Sequence, residues 1–292
     1  MPLILLSAAL RRRASFSERS LGKSLGCILG KRPGFSIGFG TRTKNREAIT
    51  LIVLFTDFGT TGPYVGQVKA VLLRKAPGVP IVDLMHDVPA FNSKAAAYLL
   101  ATLVEEFPED SIFLCVIDPG VGTQSRLPVI LAVDGRRFVG PNNGLFNVVA
   151  SRGLQVSIAE ITWRPRRLSA SFHGRDLFAP VAAMIACDEP VPSTSLSHES
   201  LTANPWPENL AQIIYIDHFG NAMTGLRAFG LGRSQRFIIG DVVFHYAETF
   251  ARSPRGQGFW YENANGLVEI AINQGNAARQ FGLHVGAPIR LV

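Results

Sequence analysis

Cysteine is scarce in this sequence, and long apolar runs are missing. Only three cysteines occur among the 292 residues, and no two of them form a Cys-x-x-Cys pair, so the sequence predicts neither a disulfide framework nor a cysteine-ligated metal site. The strongly apolar runs, such as residues 51–55 and 129–133, are far shorter than the roughly 20 residues that a transmembrane helix needs. We therefore predict a globular protein without a membrane partner, in a reducing compartment such as the cytoplasm.

Acidic residues are nearly absent from the first 48 residues, which hold ten Lys/Arg against Glu18 and Glu47. The remaining residues carry 19 Lys/Arg and 20 Asp/Glu, so the net charge of +7 belongs to the N-terminal segment. A nucleic-acid-binding domain carries its basic excess on the folded body, and we predict no nucleic-acid partner. The Arg- and Ser-rich segment 1–48 resembles an organellar transit peptide, with a disordered leader or a misassigned start codon as alternatives. In the first case the location is organellar rather than cytoplasmic.

Strand and helix patterns alternate over residues 49–189. The run at 49–55 (ITLIVLF) is typical of a strand that is covered on both faces. This alternation predicts an α/β sandwich-like domain with a mostly parallel sheet and helices on both faces. We expect further strands at 81–84, 112–117, 129–133 and 137–139, and helices at 64–75, 93–107, 145–152 and 177–186.

The pattern changes after Glu189. Residues 190–208 are rich in proline and serine and are predicted to be a linker. Residues 209–292 contain short β-like runs separated by glycine-containing turns, which predicts a second domain, a small β-barrel. The runs that we interpret as strands are 213–216, 235–239, 242–246, 268–272 and 288–292.

Polar residues follow several of the apolar runs. In an open α/β sheet, ligands bind beyond the carboxyl ends of the strands, so a carboxylate such as Asp118 and an imidazole such as His173 could converge there on one water. Taken singly, each motif also fits a turn or a helix cap. The motifs are Thr56-Asp57-Phe58-Gly59, Asp118-Pro-Gly-Val-Gly122, Pro141-Asn142-Asn143-Gly144, Ser171-Phe-His173-Gly174-Arg175-Asp176 and Asp217-His218-Phe219-Gly220-Asn221.

As an ordered set, these five motifs resemble the S-adenosylmethionine hydroxide adenosyltransferases, which are relatives of the fluorinases and chlorinases. The resemblance extends over residues 49–292. It implies an α/β N-terminal domain, a C-terminal β-barrel and a homotrimer with active sites between subunits. It also implies hydrolysis of S-adenosylmethionine, as substrate, to adenosine and methionine, without a cofactor or a metal.

The resemblance further implies roles for individual residues. Asp118 matches the aspartate that holds the attacking water, and His173 and Arg126 complete a catalytic triad, with Arg126 one place later than in relatives. Three changes also distinguish this chain: Gly62 replaces an acidic residue, Lys94 an arginine, and Ala264 a serine near the methionine carboxylate. The residues matching substrate-binding positions are Asp57 for the ribose diol, Phe91 and Phe172 for apolar walls, Asp217 and Asn221 for the methionine ammonium and an adenine edge, and Asn263 and Asn273 for the nucleoside pocket.

Three other functions compete with hydrolysis. A catalytically idle adenosine- or S-adenosylmethionine-binding module fits the changes at Gly62 and Ala264. A halogenase of the same superfamily is disfavoured, because an anionic Asp118 would repel a halide at short range. A metal-dependent hydrolase would use Asp57, Asp118 and Asp217. The pair His86-Asp87 resembles a metal-hydrolase motif, but we interpret it as structural, since metal sites need several converging ligands.

Overall fold

The computed structural model describes residues 50–123, 126–202 and 206–292. The predictions for residues 1–48 therefore lie outside the described residues. The described residues belong to one compact unit. In this part of the chain, the helices are all too short or too polar to cross a membrane.

The first sheet comprises the first seven strands: β1 (Ile52–Thr56), β2 (Ile81–Met85), β3 (Ile112–Val116), β4 (Pro128–Val133), β5 (Arg136–Pro141), β6 (Val156–Ile161) and β7 (Ser193–Leu196). Their order is β2-β1-β3-β5-β4-β6-β7. The pairings among β2, β1, β3 and β5 are parallel, and those among β5, β4, β6 and β7 are antiparallel. The α/β class is thus confirmed, but the sheet is mixed rather than mostly parallel, because β4 to β7 continue it through antiparallel pairings.

Helices cover both faces of this sheet, as predicted. The helices α1 (Tyr64–Lys75) and α4 (Ala179–Ala186) pack on one face, and α2 (Ser93–Leu103) and α3 (Asn147–Arg152) on the other. Alternate residues of β1 point to opposite faces of the sheet. Ile52 and Leu54 pack in the core beneath α1 and α4. Val53 and Phe55 pack in the core beneath α2 and α3. This period of two explains why β1 is apolar throughout.

The segment 190–208, predicted as a linker, carries β7 and a short helix, α5 (Glu199–Thr202). β7 pairs with β6, and further along the hydroxyl of Tyr98 donates a hydrogen bond to the carbonyl of Pro207. The first sheet therefore extends past residue 189.

The C-terminal strands form a second, nearly closed sheet, and the predicted β-barrel is confirmed. Its order is β14-β10-β11-β12-β13-β9-β8. Backbone hydrogen bonds from Ile213 to Ala287 and from Ile289 to Ala211 join the first strand of this set to the segment before the last and so close the barrel. A helix, α6 (Ala277–Phe281), caps it. The strands are β8 (Leu210–Ile216), β9 (Ala222–Arg227), β10 (Phe237–Ile239), β11 (Val242–Tyr246), β12 (Gly258–Glu262), β13 (Leu267–Ile272) and β14 (Arg290–Leu291).

Candidate active site

The carboxyl ends of β1 and β3 deliver Asp57 and Asp118 to the same edge of the sheet, because these strands are parallel neighbours. The backbone N–H of Asp57 donates to the carbonyl of Val116 at 3.4 Å. The amide of Asn143, which follows β5, donates to the carbonyl of Ile117 at 2.8 Å. Three of the five predicted motifs therefore meet at one place.

Asp118 begins a tight turn in which the N–H of Val121 donates to its carbonyl at 3.3 Å. Gly122 has a φ of +82°, a conformation that other residues rarely adopt. The Asp118 side chain is only 6% exposed. A buried carboxylate of this kind needs a counter-charge or hydrogen bonds.

Arg126 supplies that counter-charge and also reaches His173. Its Nε donates to Asp118 Oδ1 at 2.6 Å, and its Nη2 forms an ion pair with Asp118 Oδ2. The same Nη2 lies 3.2 Å from Nδ1 of His173. Asp118, Arg126 and His173, predicted as a triad, are thus adjacent; we refer to them below as the triad.

The contact with Arg126 fixes the chemical form of His173. A guanidinium has only donors, so Nδ1 must accept, and the imidazole is neutral with its proton on Nε2. In agreement, burial and the charge of Arg126 lower the pKa of His173, against the opposing effect of Asp118. Nε2 of His173 is therefore a hydrogen-bond donor.

Burial raises the pKa of Asp118, and Arg126 and His173 oppose this shift. Burial also raises the pKa of Asp57, with a further contribution from the charge of Asp118. Two carboxylates close enough to influence each other are costly to keep ionised. Carboxyl groups with shifted pKa values of this kind are typical of functional sites.

Asp57 holds the backbone of Phe91, whose N–H donates to Asp57 Oδ2 at 3.2 Å. Phe91 has a φ of +61°, which is strained for an aromatic residue, and its side chain is 76% exposed. Backbone strain of this kind often marks a ligand-contacting segment.

Phe172, the second predicted wall, lies in an aromatic cluster beside His173. Its ring centroid is 5.7 Å from that of Phe58 and 5.3 Å from that of Tyr64.

The helix predicted from residue 177 begins earlier, with a π-helical turn at Gly174–Phe178 that directly follows His173. π-turns are frequent at functional sites.

The barrel residues gather in a separate cleft of about 520 Å³. It contains three of the four predicted barrel residues together with a buried glutamate that the sequence analysis missed. It is lined by Asp217, Phe219, Asn221, Met223, Phe250, Tyr261, Asn263, Ala264, Asn265, Glu269, Ile272, Gln274 and Gly275.

Asp217 organises its own loop. Its carboxylate accepts hydrogen bonds from the backbone N–H groups of Phe219 and Asn221 at 2.9 and 2.8 Å, and from the Asn221 amide at 2.8 Å. This arrangement orients the Asn221 amide, so that its Oδ1 is left to accept from another group.

Glu269 lies in the middle of β13 and is only 2% exposed. The hydroxyl of Tyr261 donates to its Oε1 at 2.6 Å, and the amide of Asn263 to its Oε2 at 2.8 Å. Burial raises the pKa of Glu269, while these two hydrogen bonds oppose the shift. A charge within the apolar run LVEIAI was the sequence signal that could have revealed it.

Asn273 does not line the cleft. Its amide donates instead to the carbonyl of Ser253 at 2.7 Å. In this structure it holds the turn after residues 250–252.

Family models match both domains of this chain. The N-terminal domain of the SAM hydroxide adenosyltransferases matches residues 52–195, and their C-terminal domain matches residues 211–290. The chain belongs to this family.

Relatives and solved structures agree with this assignment. An (R)-S-adenosyl-L-methionine hydrolase from Thermus thermophilus is 36% identical over 82% of this chain and 99% of its own length, and one from Salinispora arenicola is 34% identical over 81% and 95%. A fluorinase from Actinopolyspora mzabensis is 23% identical over 82% of this chain and 96% of its own. The crystal structure of a conserved hypothetical protein from Thermus thermophilus covers 83% of this chain and 100% of its own, with 34% identity and a TM-score of 0.68.

Gly62 and Ala264 are two of the three positions at which the resemblance implies a change from relatives. Gly62 has a φ of +99°, and no atom lies within 4 Å of the place that a Cβ would occupy, so its loop has room for a larger side chain but a backbone that disfavours one. Ala264 lines the barrel cleft. Neither Gly62 nor Ala264 takes part in the contacts among Asp118, Arg126 and His173.

In this family member, the residues that line the barrel cleft differ from those that contact the triad. The barrel cleft is lined by residues 217 to 275 alone. The side-chain contacts of the triad given above involve no residue of that cleft. The described ranges also contain no cluster of three or more His, Cys, Asp or Glu placed to hold a metal ion.

Proposed function

We propose that this protein hydrolyses S-adenosyl-L-methionine to adenosine and L-methionine. The observation that carries the proposal is the bridging of Asp118 and His173 by Arg126 at 2.6 and 3.2 Å. It provides an ionised carboxylate and a neutral imidazole on either side of one cation. Names of relatives at 34–36% identity over most of the chain support the same reaction.

In the proposed step, a water oxygen forms a bond to C5′ while the C5′–S bond breaks in line with it. The electron pair of that bond stays on sulfur, which becomes the neutral thioether of methionine. One water proton is released, first toward Asp118 and then to solvent. The reaction balances with water and S-adenosylmethionine alone, so we propose no cofactor.

Each triad residue has a role that its contacts support. Each Asp118 oxygen contacts Arg126 and retains a lone pair to accept from the water. Arg126 stabilises the hydroxide character that develops on that water. His173 Nε2–H can donate to the water oxygen and orient it, which lowers the entropic part of the barrier to in-line attack.

We further propose that Asp57 accepts hydrogen bonds from the ribose hydroxyls and that Phe91 and Phe172 flank the sugar and the sulfonium. Asp217, Asn221 and Asn263, which line the cleft, belong to the barrel half of the site, whereas Asn273 supports the turn beside Ser253. The separation of the two halves within one chain supports a homotrimer in which each site joins the α/β domain of one subunit to the barrel of the next.

The low cysteine content supports a cytoplasmic location.

The test is mass spectrometry of S-adenosylmethionine incubated with the protein in ¹⁸O-labelled water. We expect steady formation of methionine and of adenosine with the label in its 5′-hydroxyl. Asp118→Ala and His173→Ala should each lower the turnover by roughly 10²–10⁴-fold, the range for a positioned acid–base group. The exposed residues Asp241 and His198 offer matched controls, since Asp241→Ala and His198→Ala should retain activity.

Other products would overturn the proposal. Stoichiometric binding without turnover would identify a binding module. Formation of a 5′-halogenated adenosine in the presence of chloride or fluoride, in place of labelled adenosine, would identify a halogenase. Activity that chelators abolish and a divalent ion restores would identify a metal-dependent hydrolase.

A further inference from the structure

A chain of four polar side chains lies directly behind Asp57. Lys69 Nζ donates to Asp83 Oδ2 at 2.9 Å, and His86 Nε2 lies 3.1 Å from Asp83 Oδ1. His86 Nδ1 lies 2.7 Å from the hydroxyl of Thr56, the residue before Asp57. Thr56 is 1% exposed and His86 9% exposed. These four hydrogen-bonded side chains therefore extend from the surface of α1 to a buried position beside the proposed ribose site.

The direction of each hydrogen bond follows from the chemistry of the groups. A carboxylate only accepts, so His86 Nε2 bears a proton that it donates to Asp83. For a neutral imidazole, Nδ1 is then an acceptor and the hydroxyl of Thr56 is its donor. The Thr56 oxygen remains free to accept, and the N–H of Phe58 lies 3.4 Å from it.

Backbone hydrogen bonds tie the same two segments together. The N–H of Gly59 donates to the carbonyl of His86 at 2.6 Å, and the N–H of Val88 donates to the carbonyl of Thr56 at 3.4 Å. Asp57 itself accepts from the N–H of Phe91 at 3.2 Å. The turn after β1 and the segment after β2 thus form one hydrogen-bonded unit, with Asp57 inside it.

The neighbouring residue Asp87 serves a different element. Its Oδ2 accepts a hydrogen bond at 2.8 Å from the hydroxyl of Tyr215 in β8. The adjacent residues His86 and Asp87 therefore point to two different partners, one in each domain.

We infer that His86, oriented by Asp83, is a positioning residue that acts through the Thr56 hydroxyl to hold the Asp57 carboxylate where it receives the ribose hydroxyls. This inference rests on the proposed role of Asp57. Loss of the Thr56–His86 hydrogen bond loosens the turn on which Asp57 lies, while Asp118, which follows β3, keeps its contacts with Arg126. The expected consequence is weaker binding of ligands that carry the ribose diol.

The test uses Thr56→Val, which removes the hydroxyl at nearly constant shape, and Thr56→Ser, which keeps it. The ligands are adenosine and 2′,3′-dideoxyadenosine, whose affinities are measured by calorimetry. We expect Thr56→Val to weaken adenosine binding about tenfold, the size of one hydrogen bond of about 1.4 kcal/mol, and to leave dideoxyadenosine binding within about twofold. Thr56→Ser should bind both ligands like the unchanged protein.

Two more variants complete the design. Asp83→Ala, at an exposed position, should reduce the preference for adenosine in the same direction by a smaller factor. Thr102→Val removes a hydroxyl from α2, where it donates to the carbonyl of Leu99, and should change neither affinity. Equal losses for both ligands in Thr56→Val would make Thr56 merely structural, and unchanged affinities would also overturn the inference.

The binding measurement separates this inference from the proposed reaction. If Thr56→Val loses its preference for adenosine while the unchanged protein forms no product from S-adenosylmethionine, the positioning role holds and the proposed hydrolysis fails. If the protein is active and Thr56→Val behaves like it in both binding and KM, the hydrolysis holds and the positioning role fails.

Discussion

The guanidinium of Arg126 contacts both Asp118 and His173. Arg126→Ala leaves a buried carboxylate without its counter-charge, which is strongly unfavourable. We expect the kcat/KM for S-adenosylmethionine cleavage to fall at least about 10²-fold, because charged hydrogen bonds contribute roughly 1.5–3 kcal/mol each. The kcat/KM of Arg126→Lys should lie between the values for the unchanged protein and for Arg126→Ala, since one ammonium has no planar fork to reach both partners.

The control for Arg126 is Arg166→Ala, at an exposed position, which should be fully active. Full activity of Arg126→Ala would contradict the assignment and transfer the role to another cation. Arg175, two residues after His173, is an alternative, but its guanidinium donates hydrogen bonds to Asp176 and Gln67.

The pKa directions at the triad predict a pH profile. The reaction needs Asp118 ionised and His173 neutral. The pKa of His173 is lowered from its ordinary 6.5, so the imidazole is neutral near neutral pH. Burial raises the pKa of Asp118, but the ion pair with Arg126 opposes this shift and favours the carboxylate. The kcat/KM should therefore be flat from about pH 7 upward and fall only below about pH 6.5. An acid limb centred above pH 7 in the kcat/KM profile would contradict these protonation states.

At the scale of elements, the turn after β3 depends on Gly122. A Cβ at this position would lie 2.6 Å from the carbonyl oxygen of Ala170, in the segment that leads to Phe172 and His173, and the φ of +82° disfavours any side chain. Gly122→Ala should destabilise the protein by more than about 1 kcal/mol and reduce kcat, because His173 moves away from Arg126. Urea unfolding and steady-state kinetics measure the two effects.

Gly66 provides the matched control for that substitution. It lies inside α1 with nothing within 4 Å of a Cβ, so Gly66→Ala should stabilise the protein by roughly 0.5–1 kcal/mol without changing kcat. Unimpaired kcat in Gly122→Ala would show that the turn and the histidine segment are independent.

Local patterns predicted many of the helices and strands, but β6, β7, β9 and β12 were not among the predicted strands. The helix at 64–75 and the strand at 242–246 have the predicted bounds. β9 was missed because Gly225 interrupts its sequence; a Cβ there would lie 2.6 Å from Leu210 on the paired strand, so the glycine records a close approach between strands. β7 was missed because its residues are polar and its support is the edge of β6, a partner far away in sequence.

The same distinction holds for the site. The strand-end motifs predicted a ligand site beyond the carboxyl ends of the strands, and Asp57 and Asp118 lie together there because β1 and β3 are parallel neighbours. The partners of Glu269 and Thr56 were not predicted, since Tyr261 reaches Glu269 across a hairpin and His86 reaches Thr56 from another strand. Such contacts depend on the pairing of strands, which periodicity does not specify.

At the scale of the whole molecule, large aromatic side chains are exposed on both halves of the proposed site. Phe91, beside Asp57, is 76% exposed, and Phe219, in the barrel cleft, is 71% exposed. Exposed aromatic groups next to functional residues are typical of surfaces that bind a ligand or another subunit. A ring in which the α/β domain of one subunit faces the barrel of the next would bring both groups to one site, as head-to-tail interfaces do.

This arrangement predicts complementation between two inactive variants, Asp118→Ala and Asp217→Ala. In a randomly mixed trimer, about a quarter of the sites would join an intact α/β half to an intact barrel half, if each site takes its halves from neighbouring subunits. The equimolar mixture, after subunit exchange, should therefore recover about a quarter of the activity of the unchanged protein. Native mass spectrometry of differently tagged chains verifies that mixed oligomers have formed. A mixture of Asp118→Ala with Asp118→Asn should recover no activity, because every site then lacks the same carboxylate. If mixed oligomers form and the first mixture also stays inactive, each site lies within a single chain and the shared-site trimer is wrong.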